Sequence, residues 1–266
     1  MKYKKGFTIS EISLSMVFVS ILLLAIAALV MFSSNLYQKG LALRAVNNAG
    51  IEFVDELTRS LSSSRTTSIS GVYVQAKGDV YLVKNNNSKV SSVPYWGVFC
   101  TGSYSYVWNS GYVLDHATYR ADTSGTSLAN KRLKITVGSK VHENFRMLRF
   151  NDSTREICIN KPDTTHGAPT SPNINAPNVT SPREMFSAYS ENQLAIYDFK
   201  VFTPTYHSLT GHTFFTGSFV IGTLKGSVDI TTTSDVCKEP PDGLNTDFAY
   251  CAINKFNFAV RATGAN

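Results

Sequence analysis

Twenty-seven consecutive residues, Ile12 to Gln38, carry no charge. As a helix rising 1.5 Å per residue they reach about 40 Å, enough to cross a ~30 Å hydrocarbon core. No proline precedes Pro94, so nothing in the run forces a kink. Lys2, Lys4 and Lys5 stand on its N-terminal side. Positive charge tends to stay cytoplasmic, so these lysines predict an N-terminus inside and a body outside. Glu11 sits at the edge of the run, between Phe7, Ile9, Ile12 and Leu14. A carboxylate at bilayer depth costs about 2.5–3.5 kcal/mol on insertion scales, so it marks function and calls for a cationic partner. A cut after Gly6 would supply one, because the new α-ammonium of Phe7 lies four residues from Glu11 on one helical face. Between neighbouring helices the same pairing would set their axial register. Three plainer readings compete. An uncleaved signal anchor would tolerate Glu11 near the interface. A signal peptide cut near Ala25-Ile26-Ala27 would leave apolar Ala28 to Phe32 at the new N-terminus. The length of the run argues against a buried core helix.

Lys4-Lys5-Gly6-Phe7-Thr8-Ile9-Ser10-Glu11-Ile12, followed by the long apolar helix, resembles the prepilin cleavage site of type IV pilins and type II secretion pseudopilins. The resemblance covers the first 40 to 60 residues. It implies that a prepilin peptidase cuts between Gly6 and Phe7 and methylates the Phe7 amine. It also implies that Glu11 guides each new subunit onto its neighbour's N-terminus. Ser10, Ser13 and Ser15 make this helix start more polar than is usual in that family. Alanines stand where many bacterial pilins carry a helix-breaking proline.

Beyond the apolar run the composition is that of an ordered body: 43% hydrophobic, 17% charged, with 13 Tyr and 16 Phe. The net charge of +6 includes the three leader lysines, so it is weak support for a nucleic-acid partner. Cys100, Cys158, Cys237 and Cys251 all follow the apolar run, and an even number in an exported domain predicts two disulfides. Thirteen residues separate Cys237 from Cys251, a loop that closes at little entropic cost, which leaves Cys100 for Cys158. A staple near the C-terminus also resembles the loop that many pilins close there.

The helix is expected to continue outward as an amphipathic stalk along Leu43, Val46, Gly50, Phe53, Leu57 and Leu61. Gly40 and Gly50 are its weak points, and the Ser-rich run from Leu61 to Ser70 ends it. Two hairpins are then predicted: 71–83 turning at Lys77-Gly78-Asp79, and 104–114 turning at Asn109-Ser110-Gly111. Further strands are expected at 132–137, 145–150, 156–159, 194–202, 214–224, 227–232 and 256–261. The segment 161–182 holds five of the nine prolines and reads as a flexible surface loop. The expected fold is α+β: a long N-terminal helix packed on an antiparallel sheet, as in pilins. Its parts are a leader 1–6, a helix 7–61 and a β-rich extracellular domain 62–266.

No motif for a catalytic nucleophile, a phosphate loop, a zinc helix or a dinucleotide turn is present, so no enzymatic activity and no cofactor are expected. His116, His142, His166, His207 and His212 read as surface residues. Asp235, Glu239, Asp242, Asn245 and Asp247 read as a solvated turn. Some pseudopilins bind calcium in a C-terminal loop, which makes Asp242, Asn245 and Asp247 the weak calcium candidates. Lys131, Arg132, Lys134, Lys140, Arg146 and Arg149 read as polar faces of strands rather than a phosphate-tracking strip. The aromatic runs at 95–99 and 104–108 read as core or cross-strand pairs.

The resemblance thus implies a pilus subunit, of the minor kind given its large body. Its expected partners are other pilin subunits, the prepilin peptidase, an assembly platform, the membrane before assembly and a surface ligand. Its path runs from the cytoplasmic membrane to an extracellular filament serving adhesion, motility or DNA uptake. The alternatives are a pseudopilin of a secretion system and a membrane-tethered binding ectodomain.

Overall fold

The computed structural model describes residues 8–64, 72–74, 77–82, 88–114, 120–122, 131–159, 173–187, 193–202, 205–207, 212–224, 228–229, 236–237 and 252–262. In chain order the elements are α1 (Ile9–Ser62), β1 (Val72–Val74), β2 (Lys77–Leu82), β3 (Ser88–Pro94), β4 (Trp96–Cys100), β5 (Tyr104–Asn109), α2 (Gly111–Leu114) and β6 (Arg120–Asp122). Then come β7 (Lys134–Val137), β8 (Lys140–His142), β9 (Met147–Asn151), α3 (Glu156–Ile159), β10 (Asn173–Asn175) and β11 (Thr180–Glu184). The chain closes with β12 (Leu194–Val201), β13 (Thr205–His207), β14 (His212–Thr223), β15 (Val228–Asp229), β16 (Val236–Cys237) and β17 (Ile253–Ala262). The class is α+β: one long apolar N-terminal helix and mostly antiparallel sheets. Among the described residues the exceptions to antiparallel pairing are β7 with β10 and a bridge between Ser110 and Ile196.

Two sheets form the middle layer. One has the order β1-β4-β5-β9-β11, and the other is β12-β14-β13 with β17 along the far side of β14. Side chains alternate across a strand, and here both faces are apolar. On β4, Phe99 faces α1 while Trp96, Val98 and Cys100 face away. On β9, Met147 faces α1 while Leu148 and Phe150 face away. The helix side is filled by Ala42, Val46, Phe53, Leu57 and Leu61 against Tyr106, Trp108, Phe199, Phe219 and Phe258. Phe53 meets Phe219 edge-on at 4.9 Å and Tyr106 at 5.9 Å. The opposite side is covered by α2, α3, β7 and β10 through Val113, Ile157, Ile135 and Ile174. A second face that must also be buried explains why so many strands lack polar alternation.

Several expectations change. The buried stripe of α1 runs Ala42, Ala45, Val46, Ala49, Phe53, Leu57 and Leu61, while Leu43 is exposed, because small alanines let the helix approach the sheet closely. Gly50 does not bend the helix: a Cβ there would fall 2.1 Å from the Phe256 ring, so the missing side chain makes room for that ring. The 71–83 hairpin does not exist, since β1 pairs with β4, and Lys77 to Asp79 belong to β2, which pairs with β3 and β6. Nor does the 104–114 hairpin: β5 pairs with β4 and β9, and 111–114 is a helical turn. Residues 156–159 are helical as well. Within the expected loop 161–182 the described residues 173–182 carry β10 and most of β11.

Candidate functional site: the bare helix and its docking layer

The helix divides by what covers it. From 8 to 37 every described side chain is exposed, and from 42 onward one face is buried in the body. At 1.5 Å per residue the 33 residues from Ile9 to Leu41 project roughly 50 Å. Leu24 is 71% exposed and Phe18 67%, values a water-facing surface does not sustain over such a length. Hydrocarbon or other apolar helices are the media that can cover it, because its backbone bonds are all internal. Two hydroxyls inside the run are satisfied internally: Ser20 donates to the Met16 carbonyl at 2.8 Å and Ser13 to the Ser10 carbonyl at 3.0 Å. Lys39 is the first cation beyond the run and marks its C-terminal end.

The start of the helix holds a feature the sequence reading missed. Thr8 is the N-cap, with extended backbone. Glu11 Oε2 accepts from both the Thr8 amide and the Thr8 hydroxyl at 2.9 Å, while the Glu11 amide donates to Thr8 Oγ1 at 3.4 Å. This is a capping box, readable as Thr8-x-x-Glu11. Glu11 therefore serves its own helix terminus before it serves any neighbour. Lys2, Lys4, Lys5, Gly6 and Phe7 lie outside the described residues.

Where α1 meets β5 and β9, a polar layer interrupts the apolar seam. Glu56 Oε1 accepts from Arg149 and, at 3.3 Å, from the Tyr106 hydroxyl. The Arg149 guanidinium lies over the Tyr104 ring, 4.6 Å from its centroid. One turn on, the Ser60 and Thr101 hydroxyls are hydrogen-bonded. Burial, before any other cause, pushes the Tyr106 hydroxyl far above the ordinary phenol range, so it stays protonated and donates. A cleft of about 250 Å³ opens beside this layer between Asp55, Arg59 and Arg183.

Cys100 and Cys158 form a disulfide, Cα atoms 6.4 Å apart, tying β4 to α3. Buried Asp152 organises the same corner: it accepts from Ser105 Oγ at 2.7 Å, the Glu156 amide at 2.8 Å and the Ile157 amide at 3.1 Å. Cys237 is placed by its backbone in β16, opposite Val228. Cys251, the calcium candidates Asp242, Asn245 and Asp247, and Asp235, Glu239, His116 and His166 lie outside the described residues. His207 and His212 are register partners across β13 and β14. Among the described residues no group of three or more His, Cys, Asp or Glu is placed to hold a metal.

The basic stretch is largely committed to internal partners. Arg132 donates to the Val113 carbonyl and Asn144, and Lys134 pairs with Glu143 at 2.7 Å. Arg146 reaches Glu184 at 3.6 Å and Arg149 reaches Glu56. Comparison with family models, curated proteins and solved structures finds no match to this chain.

Proposed function

We propose that the chain is a subunit of a type IV pilin-like filament, made as a membrane-anchored precursor and processed after Gly6. The observation that supports this reading best is the bare helix. It is long enough to span a bilayer, has one carboxylate at its first turn, and continues without a break into the half that carries the β body. A rigid helix of this form can exchange lipid for like helices without remaking its own hydrogen bonds. The polar layer at Glu56 then keeps the body docked while the bare half changes surroundings. The Phe7 amine of one copy and Glu11 of the next neutralise each other in that bundle, with the capping box holding Glu11 in a defined rotamer.

Two measurements test the proposal. Intact mass analysis of protein sheared from the cell surface is expected to show an N-terminus at methylated Phe7. An intact Met1, or a start near Ala28, sinks it. Glu11→Ala is expected to leave cleavage intact and cut incorporation into filaments at least roughly tenfold, the scale of one lost buried charge pair. Undiminished incorporation would remove the pairing from the account.

A further inference from the structure

The outer face of the sheet built from β12, β14 and β17 is open at one end. Phe215, Phe219, Phe258 and Val260 point to the helix side and are buried. On the other side, Tyr197 and Val220 lie under the second core. Toward the His212 end that cover stops, leaving Phe202 54% and Phe214 41% exposed. The Phe202 amide donates to the Thr216 carbonyl at 2.9 Å, extending the β12–β14 ladder by one pair. Phe202 therefore sits opposite Thr216 and diagonal to Phe214 on the same face, a spacing of about 7–8 Å or less. Across β14, Arg261 is the partner of Phe214, Ala259 of Thr216 and Asn257 of Ser218, with Lys255 further along. All four β17 residues are exposed. The result is a flat ledge: two phenyl rings beside a floor of Thr216 and Ala259, rimmed by one amide and two cations.

Several of the body's other cations are committed to partners within the chain. Arg132, Lys134, Arg146 and Arg149 are held internally, and Lys200 on this same face is paired with Asp198 at 2.6 Å. Lys255 and Arg261 have no ion-pair partner among the described residues. Two exposed aromatic rings with exposed cations on the same face fit a ligand with both an apolar face and negative charge.

We infer that this ledge binds a sparsely acidic polysaccharide. The inference rests on the reading that the body is exported, and it names the class of surface ligand. The C–H face of a sugar ring lies on Phe202 or Phe214. Asn257 and Thr216 meet hydroxyls, and the Arg261 fork takes a carboxylate. Lys255 and Arg261 lie six residues apart on β17, roughly 20 Å, and so suit widely spaced carboxylates. A phosphate-dense nucleic acid gains affinity with each phosphate neutralised and finds few partners here.

The test uses the purified full chain in detergent, with hyaluronan as probe and dextran and oligo-dT as comparators. Hyaluronan is expected to bind in a salt-sensitive manner and more tightly than either. Phe202→Ala with Phe214→Ala should weaken it roughly tenfold, and Lys255→Gln with Arg261→Gln should abolish the salt sensitivity. Ala259→Glu, an exposed change that leaves the core untouched, should also abolish binding; unchanged circular dichroism guards against misfolding. Hyaluronan binding no tighter than dextran, oligo-dT binding tighter, or variants without effect would each overturn the inference. The N-terminal mass is read on the same preparation. A correct start at Phe7 without hyaluronan binding removes the ledge alone, and binding by a chain that retains Met1 removes the processing alone.

Discussion

At Gly50 and Gly40 the same residue type means opposite things. Nothing lies within 4 Å of a Cβ at Gly40, whereas at Gly50 the Phe256 ring occupies that space. Gly40→Ala should raise stability by up to about 1 kcal/mol through helix propensity. Gly50→Ala should lower it by about 1–3 kcal/mol, because a ring must leave its packed position. Thermal unfolding of the detergent-solubilised chain, with Phe256→Ala as partner mutation, distinguishes the two: removing the ring should cancel the Gly50 penalty. A second residue-scale prediction concerns Glu184. Burial first raises its carboxyl above 4.5, opposed by the Met147 amide and Arg146. A carboxyl whose folded value is raised binds its proton more tightly when folded. Stability is therefore full below about 4.5 and falls as pH rises through the folded value. Glu184→Gln keeps the acceptor for the Met147 amide and should flatten that decline in a pH series of melting temperatures.

Among the elements, α3 shows how a short helix is made by its surroundings. Its four residues cannot form alone, since the first turn costs more than it returns. Asp152 supplies the missing acceptors for Glu156 and Ile157, and the disulfide holds Cys158 to β4. Asp152→Ala strands the Glu156 and Ile157 amides and leaves the Ser105 hydroxyl only the weak acceptor Cys100 Sγ, at about 1–3 kcal/mol. Hydrogen exchange should report the loss at 156–159 and at the β5–β9 corner while α1 stays protected. The strand-like apolar pattern Glu156-Ile157-Cys158-Ile159 concealed this, because a four-residue run has no measurable period. The two expected hairpins failed for a related reason. Lys77-Gly78-Asp79 and Asn109-Ser110-Gly111 carry turn chemistry, yet β1 pairs with β4 and β2 with β3 and β6, while β5 pairs with β4 and β9. Lys77-Gly78-Asp79 is absorbed into a strand, and Asn109 turns inward to bind the Leu133 amide and the Leu133 and Phe145 carbonyls.

For the whole molecule, the Cys100–Cys158 bridge spans 58 residues of sequence and joins the central sheet to its outer cover. Its removal as Cys100→Ser with Cys158→Ser should cost about 4 kcal/mol by loop closure, seen as a fall in denaturant midpoint with a steeper slope, because the uncrosslinked denatured chain exposes more surface. The bare helix, the α+β class and the transition from an apolar to an amphipathic half near residue 40 were all legible in the sequence, because each depends on local composition and a 3.6-residue period. The Thr8–Glu11 box was equally local and could have been read there. Other features lay beyond the sequence. Arg149 reaches Glu56 across 93 residues, Asn254 reaches Asn47 across 207, and the ledge is open where Phe202 and Phe214 lie beyond the outer core. Local pattern determines which segments are apolar and whether they coil or extend. Which face meets which, and which charges are left unpaired, depends on contacts between residues far apart in the chain, and only the folded chain brings those together.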